Sequence, residues 1–167
     1  MVRIRNEFDS LVEALAPELF RYALLLCHNH ATAEDLVQET FLRGWRARTD
    51  LRDLGAVRTW LYTILRNEHA RLYERRRPEA RDPQTLPEPL APAYDTSTEA
   101  FALRRALAAL EPEYREPLLL QVIGGFSCRE IGEILGLNPN TVLTRLFRAR
   151  KALRERLTGD TAKEVRR

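Results

Sequence analysis

Ser127-Cys-Arg-Glu-Ile-Gly-Glu-Ile-Leu-Gly136-Leu-Asn-Pro-Asn-Thr-Val142 reads as two helices around a tight turn. Ser127 and Glu130 have capping-box spacing, in which each side chain takes a backbone N–H that the first turn leaves unpaired. Ile131, Ile134 and Leu135 then point inward. Gly136 ends this helix in the left-handed conformation that glycine adopts cheaply. Asn138 caps the next helix, with Pro139 at its first position, where a missing N–H costs nothing. Val142, Leu146, Ala149 and Leu153 give that helix its core stripe. Short helix, short turn, longer helix is the chemistry of a helix-turn-helix.

Upstream the pattern stays helical. Tyr114 to Val122 forms a helix closed by Gly124-Gly125, and Phe101, Leu103, Ala106, Leu107 and Leu110 mark another that ends near Glu111-Pro112. Before these, Pro78, Pro83, Pro87, Pro89 and Pro92 interrupt both helix and sheet, so the chain there is an extended tether. In the first half, Phe8, Leu11, Val12, Leu15, Leu19, Tyr22, Ala23 and Leu26 recur at helical steps. A second helix opens at Thr32, where Thr-Ala-Glu-Asp has the form of a capping box. Its stripe is Ala33, Leu36, Val37, Thr40, Phe41, Gly44 and Trp45. A loop from Thr49 to Gly55 leads to a third helix with Val57, Trp60, Leu61, Ile64, Leu65 and Leu72 inward, running to about Arg76. No stretch alternates as a strand does. The expectation is an all-α chain of two small helical domains, residues 1–77 and 99–160, joined by a Pro-rich linker at 78–98 and followed by a tail at 161–167.

Composition excludes several classes. With 44% hydrophobic and 31% charged residues, the chain is too apolar for disorder and too charged for a membrane protein. The longest apolar run, Tyr22 to Cys27, is far below the ~18 residues of a spanning helix, and the start lacks the apolar block of a secretory signal. Cys27 and Cys128 make no disulfide framework. These features imply a cytoplasmic protein without membrane insertion. The net charge of +3 conceals two basic segments, Arg66 to Arg81 and Arg145 to Leu157, on either side of an acidic connector. That arrangement fits two contacts with a polyanion, or two solvated helix faces.

Three surfaces carry the functional reading. On the last helix, Asn140, Thr141, Thr144, Arg145, Arg148 and Lys151 face out with Phe147 beside them. Short polar residues come first, able to approach base edges, and arginines for guanine or phosphate follow. The third helix interleaves aromatics and guanidinium groups through Arg58, Tyr62, Arg66, Asn67, Arg71, Tyr73, Arg75, Arg76 and Arg77. Stacking faces among cations suit single-stranded DNA, although Trp60 and Tyr62 also fit a core. The second helix turns Glu34, Asp35, Gln38, Glu39, Leu42 and Arg46 outward. An acidic stripe repels DNA, and Leu42 within it points to a protein partner.

With these pieces placed, the sequence strongly resembles a bacterial sigma-70 family RNA polymerase sigma factor of the extracytoplasmic-function (ECF) group, which keeps only regions 2 and 4. Ala33 to Trp45 resembles the polymerase-binding helix. Trp60 to Asn67 with the arginines up to Arg77 resembles the segment that melts and reads the −10 element. Leu110 to Arg115, Glu130 to Leu137 and Thr141 to Arg150 resemble region 4 and its −35-reading helix. The resemblance implies that Asp35, Gln38, Glu39 and Leu42 dock on the clamp helices of the largest polymerase subunit. It implies that the loop from Thr49 to Gly55 holds a base flipped from the non-template strand, and that Arg58, Tyr62, Arg66, Asn67, Arg71, Tyr73, Arg75 and Arg76 contact that strand. Asn140, Thr141, Leu143, Thr144, Arg145, Phe147 and Arg148 would meet the −35 duplex. The flap of the second-largest subunit and an anti-sigma factor are further implied partners. The sequence departs from the family pattern at Arg71, Gly132, Asn138-Pro139-Asn140 and Leu143, so the promoter it reads is left open.

Other classes fit less well. An enzyme would need a site, and there are three histidines, no glycine-rich phosphate loop and no implied cofactor or metal. Cys27-His28-Asn29-His30 has ligand residue types, but its place at a helix end reads as a loop. A decoy that only binds an anti-sigma factor has no need of both arginine sets. A helix-turn-helix repressor explains neither the acidic second helix nor the single-strand surface.

Overall fold

The structure, a computed structural model, describes residues 2–51, 53–76 and 97–164. The described residues are helical throughout their regular parts and belong to two compact units, residues 1–85 and 86–167. The first unit holds α1 (Val2–Cys27), α2 (His30–Ala47) and α3 (Val57–Arg76). The second holds α4 (Thr98–Ala108), α5 (Pro112–Val122), α6 (Cys128–Leu135) and α7 (Pro139–Glu164). The prolines expected to form the tether lie outside the described residues.

The first unit is built on one core. Phe8, Leu19, Tyr22, Ala23 and Leu26 of α1 meet Ala33, Leu36 and Val37 of α2 and Val57, Leu61 and Leu65 of α3, all buried. Burying one such aliphatic or aromatic side chain contributes about 1.5–3 kcal/mol, so these three stripes outweigh every ion pair on the surface. α2 and α3 approach closely at Gly44, where a Cβ would stand 2.9 Å from Leu61 Cδ2. Trp45 is only half-buried, with its ring against Phe8 and the Arg48 guanidinium over its face at 4.0 Å from the centroid. Pro17, which brings no N–H to α1, lies on its exposed side.

The start of α2 corrects the expectation of a cap at Thr32. His28 ends α1 with φ 56° and donates its N–H to the Leu24 carbonyl at 2.8 Å. Asn29 then caps α2, its Oδ1 accepting the Thr32 N–H at 2.8 Å. Asparagine is a stronger cap than threonine, and the cap three residues earlier gives the helix nearly one more turn. The Cys27-His28-Asn29-His30 cluster is thus the corner between two helices. Among the described residues, no group of three or more His, Cys, Asp or Glu is placed to hold a metal.

The second unit is the helix-turn-helix with two helices behind it. Ser97 caps α4 through the Ala100 N–H, and the Arg115 Nη1 donates to the Ala108 carbonyl at 3.0 Å across the α4–α5 corner. Ala106, Leu107, Leu110, Leu118, Leu119, Leu120, Phe126, Ile131, Ile134, Val142, Leu146 and Ala149 are buried. Phe101 and Leu103, expected in the α4 stripe, are instead 49% and 41% exposed. The buried residues of α4, Ala106 and Leu107, lie in its last turn, so the core takes only that end of the helix. The capping box forms as read: the Ser127 N–H donates to Glu130 Oε2 at 2.8 Å, and the Glu130 N–H to Ser127 Oγ at 3.3 Å. Gly136 takes φ 67°, and Asn138 Oδ1 accepts the Asn140 N–H at 2.8 Å. No helix among the described residues is long and apolar enough to cross a membrane.

Candidate polymerase and nucleic-acid interfaces

The outward face of α2 follows from its buried one. Because Ala33, Leu36, Val37, Thr40 and Gly44 turn inward, Asp35, Gln38 and Leu42 emerge on the opposite side, with Leu42 51% exposed. Thr40 is fully buried and donates its hydroxyl to the Leu36 carbonyl at 2.7 Å, so it leaves no unpaired donor in the core. Glu39 is half-exposed and takes the Arg43 Nε at 2.6 Å. The face is acidic with one apolar side chain in it, which suits a basic protein surface and opposes DNA.

On α3 the structure separates the expected strand contacts. Asn67 and Arg71 are exposed, and Arg66 is half-buried. Tyr62 is a correction: it is fully buried, with its ring 5.0 Å from that of Tyr22 and its hydroxyl donating to Glu18 Oε1 at 2.7 Å. Burial, and then the bond to Glu18, push the hydroxyl pKa well above the ordinary phenol range. A ring held in that way offers no face to a base. Arg58 donates to the same Glu18 oxygen through Nε at 3.1 Å and Nη2 at 2.8 Å. It therefore closes the α1–α3 seam at the surface. Tyr73, Arg75 and Arg76 are on the last turns of α3, but their side chains lie outside the described residues.

The segment between α2 and α3 has two short 3-10 turns, Arg48–Asp50 and Leu54–Ala56. Asp53, exposed between them, accepts the Gly55 N–H at 2.8 Å through its side chain and the Ala56 N–H at 3.1 Å through its carbonyl. This Asx-type turn fixes the approach to α3.

On α7, Asn140, Thr141, Leu143, Thr144, Phe147 and Arg148 are exposed on successive turns, with Leu143 at 58% and Phe147 at 69%. Arg145 is more covered and lies 3.7 Å from Glu113 of α5. Arg148 reaches the Tyr114 hydroxyl at 3.5 Å, the outer limit of a hydrogen bond, and Arg150 bonds Gln121. Helix α5 thus steadies the arginine side of α7 with weak, exposed contacts that a phosphate can displace.

Sequence reading missed the carboxylates behind the arginines: Glu18 for Arg58, Glu68 for Arg43 and Arg71, and Glu113 for Arg145. Glu68 had a visible signal. It falls two turns after Leu61 and one after Leu65 on the inward stripe of α3, where an acid needs a cation.

Comparison with known proteins matches residues 11–79 to Sigma-70 region 2 and residues 100–153 to Sigma-70 region 4. The chain is 36% identical to the ECF RNA polymerase sigma factor SigE of Mycolicibacterium smegmatis across 90% of its own length, spanning 61% of that protein. It is 34% identical to the ECF RNA polymerase sigma factor EcfG of Rhodopseudomonas palustris, covering 93% of this chain and 90% of that one. Its structure is similar to the sigma factor RpoE of Bartonella quintana, solved in complex with the anti-sigma factor NepR. The TM-score is 0.78 at 30% identity, over 90% of this chain and 96% of that one. The chain belongs to the sigma-70 family: it is an ECF sigma factor made of regions 2 and 4, a non-enzymatic initiation factor that directs RNA polymerase to promoters.

Proposed function

We propose a division of labour among the three surfaces. Asp35, Gln38, Glu39 and Leu42 dock on the clamp helices of the largest polymerase subunit. Arg66, Asn67 and Arg71, continued by Tyr73, Arg75 and Arg76, hold the non-template strand of the −10 element. The turns from Thr49 to Gly55 receive a base flipped out of that strand. Asn140, Thr141, Leu143, Thr144, Arg145, Phe147 and Arg148 enter the −35 major groove, and the flap of the second-largest subunit supports this domain. Residues 1–77 and 99–160 are the working domains, and the linker at 78–98 threads the polymerase. The observation that carries this reading is an exposed acidic α2 with Leu42 in a chain whose α7 is exposed, basic and polar. An acidic face has no use on DNA, so it belongs to the enzyme that brings both domains there.

Each domain alone binds weakly. Polymerase fixes their separation, and each contact then raises the effective concentration of the other. Strand opening follows from capture of unstacked bases by these arginines and Tyr73, which offsets an unpairing cost of about a few kcal/mol. An anti-sigma factor is the second partner we propose. Leu42 in the first unit and Phe101, Leu103 and Val122 in the second give it apolar surface to cover, and the similar RpoE was solved with such a factor.

The test mixes the purified protein with core RNA polymerase and genomic fragments and maps transcript start sites. Two shared upstream elements, lost with Glu39→Ala or Arg148→Ala, are the expected result. Polymerase binding without any start site favours a decoy, and no polymerase binding removes the assigned role of α2.

A further inference from the structure

Four side chains of alternating charge run from the outward face of α2 to that of α3. Arg43 Nε donates to Glu39 Oε1 at 2.6 Å, and Arg43 Nη1 lies 3.2 Å from Glu68 Oε1. Arg71 Nη1 donates to that same Glu68 oxygen at 2.8 Å. The Glu68 side chain is 11% exposed, whereas that of Arg71 is 55% exposed. One nearly buried oxygen therefore serves two guanidinium groups, and whatever strengthens one of these contacts weakens the other.

We infer that Glu68 is a positioning residue that couples polymerase docking at Glu39 to strand capture by Arg71. The inference rests on the docking and strand-contact roles proposed above. In the free chain Glu39 and Glu68 divide Arg43 between them, so Glu68 keeps enough uncompensated charge to hold Arg71 against its own helix. A polymerase cation that pairs with Glu39 takes this partner from Arg43. Arg43 then turns wholly to Glu68, the carboxylate is neutralised, and Arg71 is released to a phosphate of the single strand. The factor is thus held back from DNA until it sits on the enzyme. Because Glu39, Arg43 and Arg71 are all substantially exposed, the effect is about two- to five-fold, the range that one partly solvated ion pair supports.

The experiment follows the fluorescence anisotropy of a short single-stranded DNA carrying the non-template −10 sequence of a mapped promoter. It is titrated with free factor and with holoenzyme at saturating core polymerase. Glu68→Gln raises the affinity of the free factor about two- to five-fold and leaves that of the holoenzyme nearly unchanged. Arg43→Gln lowers holoenzyme affinity by a similar factor, and adding Glu68→Gln restores it. Arg43→Lys, which keeps the charge, recovers most of the loss. Losses in both single variants that simply add in the double variant mean a structural role only and overturn the coupling. Should Glu68→Gln fail to fold, Arg43→Gln against Arg43→Lys in the holoenzyme decides alone, and equal affinities overturn the proposal. Arg71→Gln separates the two readings. If it weakens holoenzyme binding while Arg43→Gln does not, the coupling alone fails; if it has no effect, the strand-contact role of Arg71 fails and the coupling with it.

Discussion

The Tyr62 hydroxyl donates to Glu18 Oε1 at 2.7 Å, the same oxygen that receives Arg58, so one carboxylate on α1 ties two residues of α3 into the wall of the first unit. An aromatic that looks suited to stacking on a base is spent on the fold. The carboxylate also explains why Arg58, one turn before Tyr62 on α3, points toward α1 rather than along a strand path.

Tyr62→Phe should therefore lower stability by about 1.5–3 kcal/mol, the range for a hydrogen bond to a charged group, and leave single-strand affinity intact. Chemical denaturation and oligonucleotide titration read the two effects apart; a loss of DNA affinity in a fully folded variant would restore Tyr62 as a strand contact. The pH dependence has a definite sign. The folded phenol has a raised pKa, so its contribution is complete below the unfolded value of about 10. As pH rises beyond that point, the unfolded chain releases the proton while the folded chain keeps it, and stability falls. Tyr62→Phe should flatten this alkaline arm.

Gly136→Ala tests the turn. At φ 67° an L side chain crowds the following carbonyl, which costs about 1–2 kcal/mol. Ser127→Ala, which removes one half of the capping box, should cost about 1 kcal/mol. Both losses belong to unfolding of the second unit, and neither should alter the melting of a separately reported probe in the first, such as Trp45 fluorescence.

What the sequence made legible follows a physical line. Ser127, Gly136, Asn138 and Pro139 act through their own backbone, so their reading needed no tertiary knowledge, and the turn formed where they placed it. The helix stripes of α2, α3 and α7 were legible for the same reason. Partnership across helices was not. Tyr62 has Arg58 and Arg66 one turn away on either side, and a one-dimensional pattern places it among cations; only the approach of α1 brings Glu18 and Tyr22 to it. Phe101 and Leu103 fail in the opposite way, since apolar spacing signals a face without showing whether another helix covers it. Asn29 was overlooked because Thr32 offered a more familiar four-residue pattern, although the stronger cap stood three residues earlier.

Leu42 is 51% exposed within an acidic face, so it contributes little to the fold. Leu42→Ala should change stability by no more than about 0.5 kcal/mol yet weaken core polymerase binding by more than about 1 kcal/mol, as a central apolar anchor does. Competition with the unmodified protein for limiting core polymerase measures this. An unchanged competition curve would leave the acids of α2 as the whole of that contact.

On α7 the two arginine contacts predict opposite kinds of change. Arg148 is exposed and reaches the Tyr114 hydroxyl at 3.5 Å, the outer limit of a hydrogen bond, so Arg148→Ala should leave stability almost unaltered. If the guanidinium pairs bidentately with a guanine, the variant loses about 1–3 kcal/mol of −35-dependent initiation and stops responding to substitution at that base pair. Arg145 instead lies 3.7 Å from the Glu113 carboxylate, which would compete with a phosphate for it. Glu113→Gln should free that cation, tighten duplex binding for every sequence alike, and steepen the log–log salt dependence by up to about 0.9. Duplex titrations at several salt concentrations, on matched and substituted −35 elements, separate the outcomes: a base-specific effect from Glu113→Gln, or a uniform one from Arg148→Ala, would reverse the roles given to the two arginines.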